Sequence, residues 1–331
     1  MRHLLFGFAA GCFALAGLGF FALAALRRPD LPRAVLERRY ATPRSVFVEG
    51  LDGLEIHCRD EGPRDAPAIL LVHGYCASLH TWDAWVRRLS RRRRVIALDL
   101  PGHGLTRTPL GYELTRGSFT GAIDAVARAL GLHRFAIAGS SLGGAVAWDY
   151  AARRPRKVEA LILVGAAGWT PGPDADVLDP ASMQMLRSPL GPLLCDLDNS
   201  PWLRRGLRAS FADPRHADDA MVQRYVDLSR APMNRSVQMQ VALNRKARIN
   251  ATESLLARIG APTLVMHGRH DAIVPVEDSA RFAALIPEAS LLIYEEAGHI
   301  VQEEAAEASA RDVEAFLQRV AAPRARLKLA A

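Results

Sequence analysis

The chain opens on an apolar run without charge at residues 4–26, then breaks into short apolar stretches parted by polar turns. Residue runs 68–72 and 95–98 are brief and continuously apolar, as expected of buried strands, and 135–138, 160–164, 263–266 and 291–294 predict further strands. Residues 45–49 and 54–58 predict a strand pair joined by the turn Leu51-Asp52-Gly53. Helical spacing recurs at 79–89, 118–130, 142–152, 276–285 and 302–320. Strands that alternate with helices imply an α/β fold, a mostly parallel sheet covered on both faces.

From residue 169 to 257 the rhythm changes: strand-like runs cease, prolines cluster at Pro171, Pro173, Pro180, Pro189 and Pro192, and helical stretches follow. This predicts an inserted helical cap. Its clearest helix is at 217–229, with Met221, Val222, Tyr225, Val226 and Leu228 on one face. Met183, Met185, Leu186, Leu193, Leu194, Trp202 and Met239 are candidates to line an apolar pocket. The expected organisation is a membrane anchor at 1–30, a linker at 31–44, a core formed by 45–168 and 258–320, the cap at 169–257 and a tail at 321–331.

As a helix, residues 4–26 would be roughly 34 Å long, enough to cross a hydrocarbon core of roughly 30 Å. A single-pass N-terminal transmembrane helix is therefore expected, with a cleaved secretory signal as its rival because Ala22-Leu23-Ala24 resembles a small-x-small cleavage site. Arg27, Arg28, Arg33, Arg38 and Arg39 follow the run while Arg2 stands before it, a bias toward a cytoplasmic catalytic domain. Gly7 and Gly11 form a GxxxG pair able to join two such helices.

Composition narrows the picture. The formal charge of +7 is carried mostly by arginine, without the arginine–aromatic pattern that reads nucleic acid, so no nucleic-acid partner is expected. Arg87, Arg88 and Arg91 to Arg94 make a cationic cluster that reads either as a solvated face or as a contact for lipid headgroups. Cys12, Cys58, Cys76 and Cys195 have no CxxC spacing, which indicates neither a metal site nor a disulfide framework. No cofactor is expected.

The candidate chemistry centres on Gly139-Ser140-Ser141-Leu142-Gly143, a Gly-x-Ser-x-Gly turn with a strand-like run before it and a helix-like run after it. Such a turn holds its serine in a strained conformation, with Gly139 and Gly143 where a Cβ would collide with backbone. A serine hydroxyl is a poor nucleophile, so Ser141 needs a base and a group to orient it. His299, in the loop after the strand at 291–294, is the candidate base. Asp271, past the strand at 263–266, is the candidate orienter. All three follow strand C-termini, where open parallel sheets place their sites. The backbone N–H groups of Leu142 and Tyr75 are candidates for an oxyanion hole. His73 and Gly74 shape the loop that carries Tyr75, with His73 a structural holder rather than a base.

His73-Gly74-Tyr75, the Asp-x-x-Gly-x-Gly turn at 99–104, and Ser141, Asp271 and His299 resemble the α/β-hydrolase superfamily over residues 47–320. The resemblance implies a doubly wound sheet of eight strands with one antiparallel, and a cap over the site. Dehalogenases and epoxide hydrolases of that family have aspartate at the elbow, which Ser141 argues against. Carbon–carbon bond hydrolases commonly have asparagine before the serine and tryptophan after the histidine, where this chain has Ser140 and Ile300. The expectation is a membrane-anchored esterase or lipase-like serine hydrolase of an apolar ester. A C–C hydrolase, an acyltransferase, a cofactor-free peroxidase and a non-catalytic binding protein are the alternatives. Activity is expected to fall on acidification as His299 takes up a proton.

Overall fold

The computed structural model of the protein describes residues 26–169, 188, 191, 195–244 and 247–322. Eight strands form one sheet: β1 (Ser45–Glu49), β2 (Glu55–Glu61), β3 (Ala68–Val72), β4 (Arg94–Leu98), β5 (Phe135–Ser140), β6 (Val158–Val164), β7 (Thr263–Gly268) and β8 (Ala289–Tyr294). Their order across the sheet is β1-β2-β4-β3-β5-β6-β7-β8. β2 pairs antiparallel with both neighbours and every other pairing is parallel, so β2 alone runs against the rest.

Alternate residues of the central strands enter two cores. Leu70, Val72, Ile137, Leu161 and Leu163 face one side, with Phe119 of α3 (Arg116–Ala129), Trp148 of α4 (Leu142–Arg153) and Phe282 of α9 (Val276–Leu285). Ile69, Leu71, Ala136, Ile162 and Val164 face the other, with Trp85 and Leu89 of α2 (Asp83–Leu89) and Phe316 and Leu317 of α11 (Ala306–Ala321). Burial on both faces is why these strands read as unbroken apolar runs rather than alternating ones. α11 is preceded by a separate short helix, α10 (Val301–Glu304), because Ala305 leaves the helical region at φ −102° and ψ 41°.

The described helices between β6 and β7 are α5 (Ser200–Ala209), α6 (Asp219–Ser229), α7 (Asn234–Leu243) and α8 (Glu253–Leu256). Asp218 starts α6 by accepting the Met221 N–H at 2.7 Å. Leu203 and Leu207 of α5 pack with Val222, Tyr225 and Val226 of α6, a small core that Ile300 enters from outside the insertion. Trp202 is 44% exposed and lines no interior wall, whereas Met239 accepts a contact from the Cys195 thiol at 3.5 Å. Met183, Met185, Leu186, Leu193 and Leu194 lie outside the described residues.

Residues 31–44 differ from a free linker. They carry α1 (Arg33–Tyr40), whose Leu36 is 1% exposed and packs with Leu105, Leu228 and Ala231. Polar contacts on both sides pin this strap. Arg28 meets Asp198, Asp30 meets Arg235, and Arg39 and Tyr40 share Asp227, all in the insertion. On the core side, Glu37 accepts from Arg107 and the Tyr40 carbonyl accepts from His80.

The expected single-pass membrane location is corrected. Residues 1–25 of the anchor lie outside the described residues, and among the described ones no helix is long and apolar enough to cross a membrane. The arginine cluster is also partly committed within the protein. Arg94 binds Asp60 and the Leu130 carbonyl, Arg88 binds Glu314, and Arg93 donates to the Leu317 carbonyl.

Candidate active site

The site lies at the C-terminal ends of β3, β5, β6, β7 and β8. Ser141 stands between β5 and α4 at φ 53° and ψ −118°, a left-handed conformation costly for a residue with a side chain. Its backbone is held from three directions. The N–H donates to the Val164 carbonyl at 3.0 Å, and the carbonyl accepts from Ala145 and Ala167, each at 3.0 Å. A Cβ on Gly139 would lie 2.1 Å from the Gly143 carbonyl oxygen, and one on Gly143 would lie 2.2 Å from that of Val72. Both glycines are required by contact, not merely by turn preference.

Asp271 and His299 meet: Nδ1 of His299 lies 2.7 Å from Oδ2 of Asp271. A carboxylate only accepts, so Nδ1 carries the proton and Nε2 is left with a lone pair. The other oxygen of Asp271 accepts the N–H groups of Ile273 and Val274 at 2.8 and 2.9 Å. Burial alone would raise the pKa of this carboxyl. The hydrogen bonds from His267, His299 and Val274 outweigh burial and hold it well below the usual carboxylate range.

Gly165, which the sequence reading passed over, joins the serine to this pair. It follows Val164 at the end of β6 with φ +49°, and a Cβ there would stand 3.2 Å from His299 Nδ1 and 3.3 Å from Asp271 Oδ2. Since Val164 binds the Ser141 N–H, one strand end serves both halves of the site. A glycine directly after a buried apolar strand was the available signal.

The loop after β3 packs onto Ser141. A Cβ on Gly74 would lie 3.1 Å from Ser141 Cβ and 3.8 Å from its Oγ. His73 is fully buried and holds this loop: its Nε2 accepts the Leu100 N–H at 3.0 Å, so its proton sits on Nδ1 and is donated to the Gly74 carbonyl at 2.7 Å. Burial pushes its pKa below the ordinary imidazole value, against the pull of Asp99. Leu142 supplies the first N–H of α4, a position with no carbonyl one turn back. Neither the Leu142 N–H nor the Tyr75 N–H has a protein acceptor among the described residues.

Helix α7 of the insertion closes over this loop. Gln238 accepts the Tyr75 hydroxyl through its carbonyl at 3.0 Å and donates through its side chain to the Gly102 carbonyl at 3.1 Å. Cys76, at φ +56°, is protonated at neutral pH because burial pushes its thiol up to about 12. The Asp99 turn acts as a brace: its carboxylate accepts from Leu79, Leu105 and His57, and a Cβ on Gly104 would fall 2.0 Å from its carboxyl carbon.

Residues 67–306 match the family model described as alpha/beta hydrolase fold. A 2-hydroxy-6-oxo-2,4-heptadienoate hydrolase of Pseudomonas putida is 30% identical over 284 residues, covering 80% of this chain and 93% of the relative. A 2-hydroxy-6-oxononadienedioate/2-hydroxy-6-oxononatrienedioate hydrolase of Cupriavidus pinatubonensis is 31% identical over 286 residues, covering 82% and 95%. Among solved structures, a membrane phospholipase A described as a bacterial virulence factor superposes with a TM-score of 0.72 at 27% identity, covering 97% of this chain and 99% of that one. On the family match, these relatives and the sheet order together, the chain belongs to the alpha/beta hydrolase family.

Proposed function

We propose that this protein is a serine hydrolase that breaks the bond beside a carbonyl through an acyl-enzyme on Ser141. The observation that carries the reading is the 2.7 Å contact between Asp271 and His299 Nδ1, which leaves Nε2 as a base at the strand edge that presents Ser141. Ser141 Oγ attacks the carbonyl carbon as its proton passes to His299 Nε2, and the oxyanion is met by the N–H groups of Leu142 and Tyr75. The carbonyl re-forms, the leaving group departs with the proton from His299, and water repeats the cycle to release the acid.

The names of the relatives bear on which bond is cleaved. Two hydrolases of 2-hydroxy-6-oxo dienoic acids at 30% and 31% identity favour a carbon–carbon bond next to the oxo group, which places that reading ahead of the ester expected from the apolar insertion. Ester cleavage stands second, on one observation: the phospholipase A structure covers 97% of the chain, whereas the dienoate hydrolases cover 80% and 82%.

The test is turnover of 2-hydroxy-6-oxohepta-2,4-dienoate and of p-nitrophenyl esters of graded acyl length by the same preparation, beside Ser141→Ala. Serine-dependent turnover of the dienoate above the esters supports C–C cleavage, and the reverse order supports ester cleavage. Turnover of either that persists in Ser141→Ala removes the serine from the chemistry.

A further inference from the structure

The loop that carries His299 is fastened to the insertion as well as to the sheet edge, where its Ala297 carbonyl accepts the His270 N–H at 2.9 Å. The N–H groups of His299 and Ile300 both donate to the Ser210 carbonyl, at 2.8 and 3.3 Å, just past the end of α5. The Ile300 side chain is 8% exposed among Leu203, Leu207 and Phe211. A Cβ on Gly298 would lie 2.7 Å from the Ala212 nitrogen and 2.8 Å from the Ser210 oxygen. One side chain links the two loops: Glu304, the last residue of α10. Its Oε2 accepts the Gly298 N–H at 2.6 Å and the Ala212 N–H at 3.1 Å, and its Oε1 accepts the Asp213 N–H at 2.9 Å.

We propose that Glu304 is a positioning residue: it clamps the His299 loop to residues 210–213 of the insertion, so that the seating of the insertion sets how His299 stands over Ser141. A charged acceptor is suited to the task because three N–H groups converge on two oxygens with no competing donor. In Glu304→Gln one oxygen becomes an NH₂ that faces an N–H. One side of the clamp then opens while bulk and burial stay nearly the same. Gly298→Ala loosens the same junction from the histidine side by forcing the two loops apart.

The inference rests on Ser141 being the nucleophile but not on which bond is cleaved, so a fluorophosphonate, which labels an activated serine, is the probe. The full chain, Glu304→Gln and Gly298→Ala are compared for the rate constant of inactivation at saturation, the half-saturating concentration and thermal midpoint. The expected result is a fall of about 10-fold or more in the inactivation rate constant, with half-saturation changed less than about twofold, in each variant that melts as the parent does. A parent-like rate in a folded variant of either kind, or a loss confined to half-saturation, overturns the role of Glu304. If Glu304→Gln does not fold, Gly298→Ala decides alone. Failure of the parent itself to label at Ser141 overturns the nucleophile assignment and the clamp with it, an outcome distinct from equal labelling of parent and variants.

Discussion

Nε2 of His267 lies 3.2 Å from Oδ2 of Asp271, the same oxygen that holds His299 Nδ1. One carboxylate oxygen thus lies between two imidazoles. His267 is itself fixed, its Nε2 also 3.1 Å from the Val274 carbonyl and its Nδ1 2.7 Å from the Ser279 hydroxyl. Removing this support in His267→Leu loosens the Oδ2 side of Asp271 alone, and turnover is expected to fall by no more than about 10- to 100-fold because the backbone bonds of Ile273 and Val274 still hold the other oxygen. Steady-state kinetics on a folded variant check it. An unchanged kcat would show that the two backbone bonds suffice.

Asp271→Asn substitutes an amide where the imidazole N–H now donates. The ring is expected to lose its tautomer and kcat to fall by about 10³ to 10⁴, with substrate affinity nearly constant. A loss of less than tenfold would mean that His299 does not depend on Asp271.

Gly165→Ala tests a position identified only in three dimensions. Its backbone at φ +49° strains any side chain, and the new methyl stands 3.2 Å from His299 Nδ1. The variant is expected to lose about 100-fold or more in kcat and about 1 kcal/mol or more in stability. Full activity would place the His299 ring farther from β6 than described.

Two buried histidines, one half-buried histidine and one glutamate give opposite pH dependences. Burial pushes His80 down to about 4 and His103 down to about 3, and lowers His73 as well. Groups that resist protonation in the fold contribute stability that is complete above the unfolded value near about 6.5 and is lost as pH falls toward the folded values. Burial pushes Glu303 up to about 7, so its contribution is complete below the ordinary carboxyl value and is lost as pH rises through about 7. The urea midpoint is expected to fall between pH 7 and pH 5, and to fall more steeply in Glu303→Gln, where the opposing group is gone. A shallower slope in that variant would reverse the assignment.

Leu36→Ala is expected to cost about 2 to 4 kcal/mol, since the side chain is almost fully enclosed by Leu105, Leu228 and Ala231. Chemical denaturation measures it. A cost below about 0.5 kcal/mol would mean that the strap contributes little to the fold.

The strand–turn–helix at Ser141 and the pairing of Asp271 with His299 were legible because each is encoded locally. Gly139, Ser141 and Gly143 fit one turn, and Asp271 and His299 each follow an apolar strand. The strap was not legible, because Leu36 is a single buried residue in an arginine-rich run and its partners lie some 70 to 200 residues away. Gly165 and Glu304 escaped for a related reason. What they do is set by distance to another loop's backbone, which has no signature in residue type. Residues 302–320 read as one helix because Ala305 has no sequence mark of a break.

The attachment of the His299 loop to Ser210 also bears on how such proteins diversify. An insertion that only roofed a pocket could be exchanged between members of the family like a fitted part, changing what is admitted and leaving the reaction alone. Here the His299 backbone is tied to it, so a transplanted roof would bring its own alignment of the histidine, and, with His299 as the proposed base, changes in selectivity would arrive tied to changes in rate.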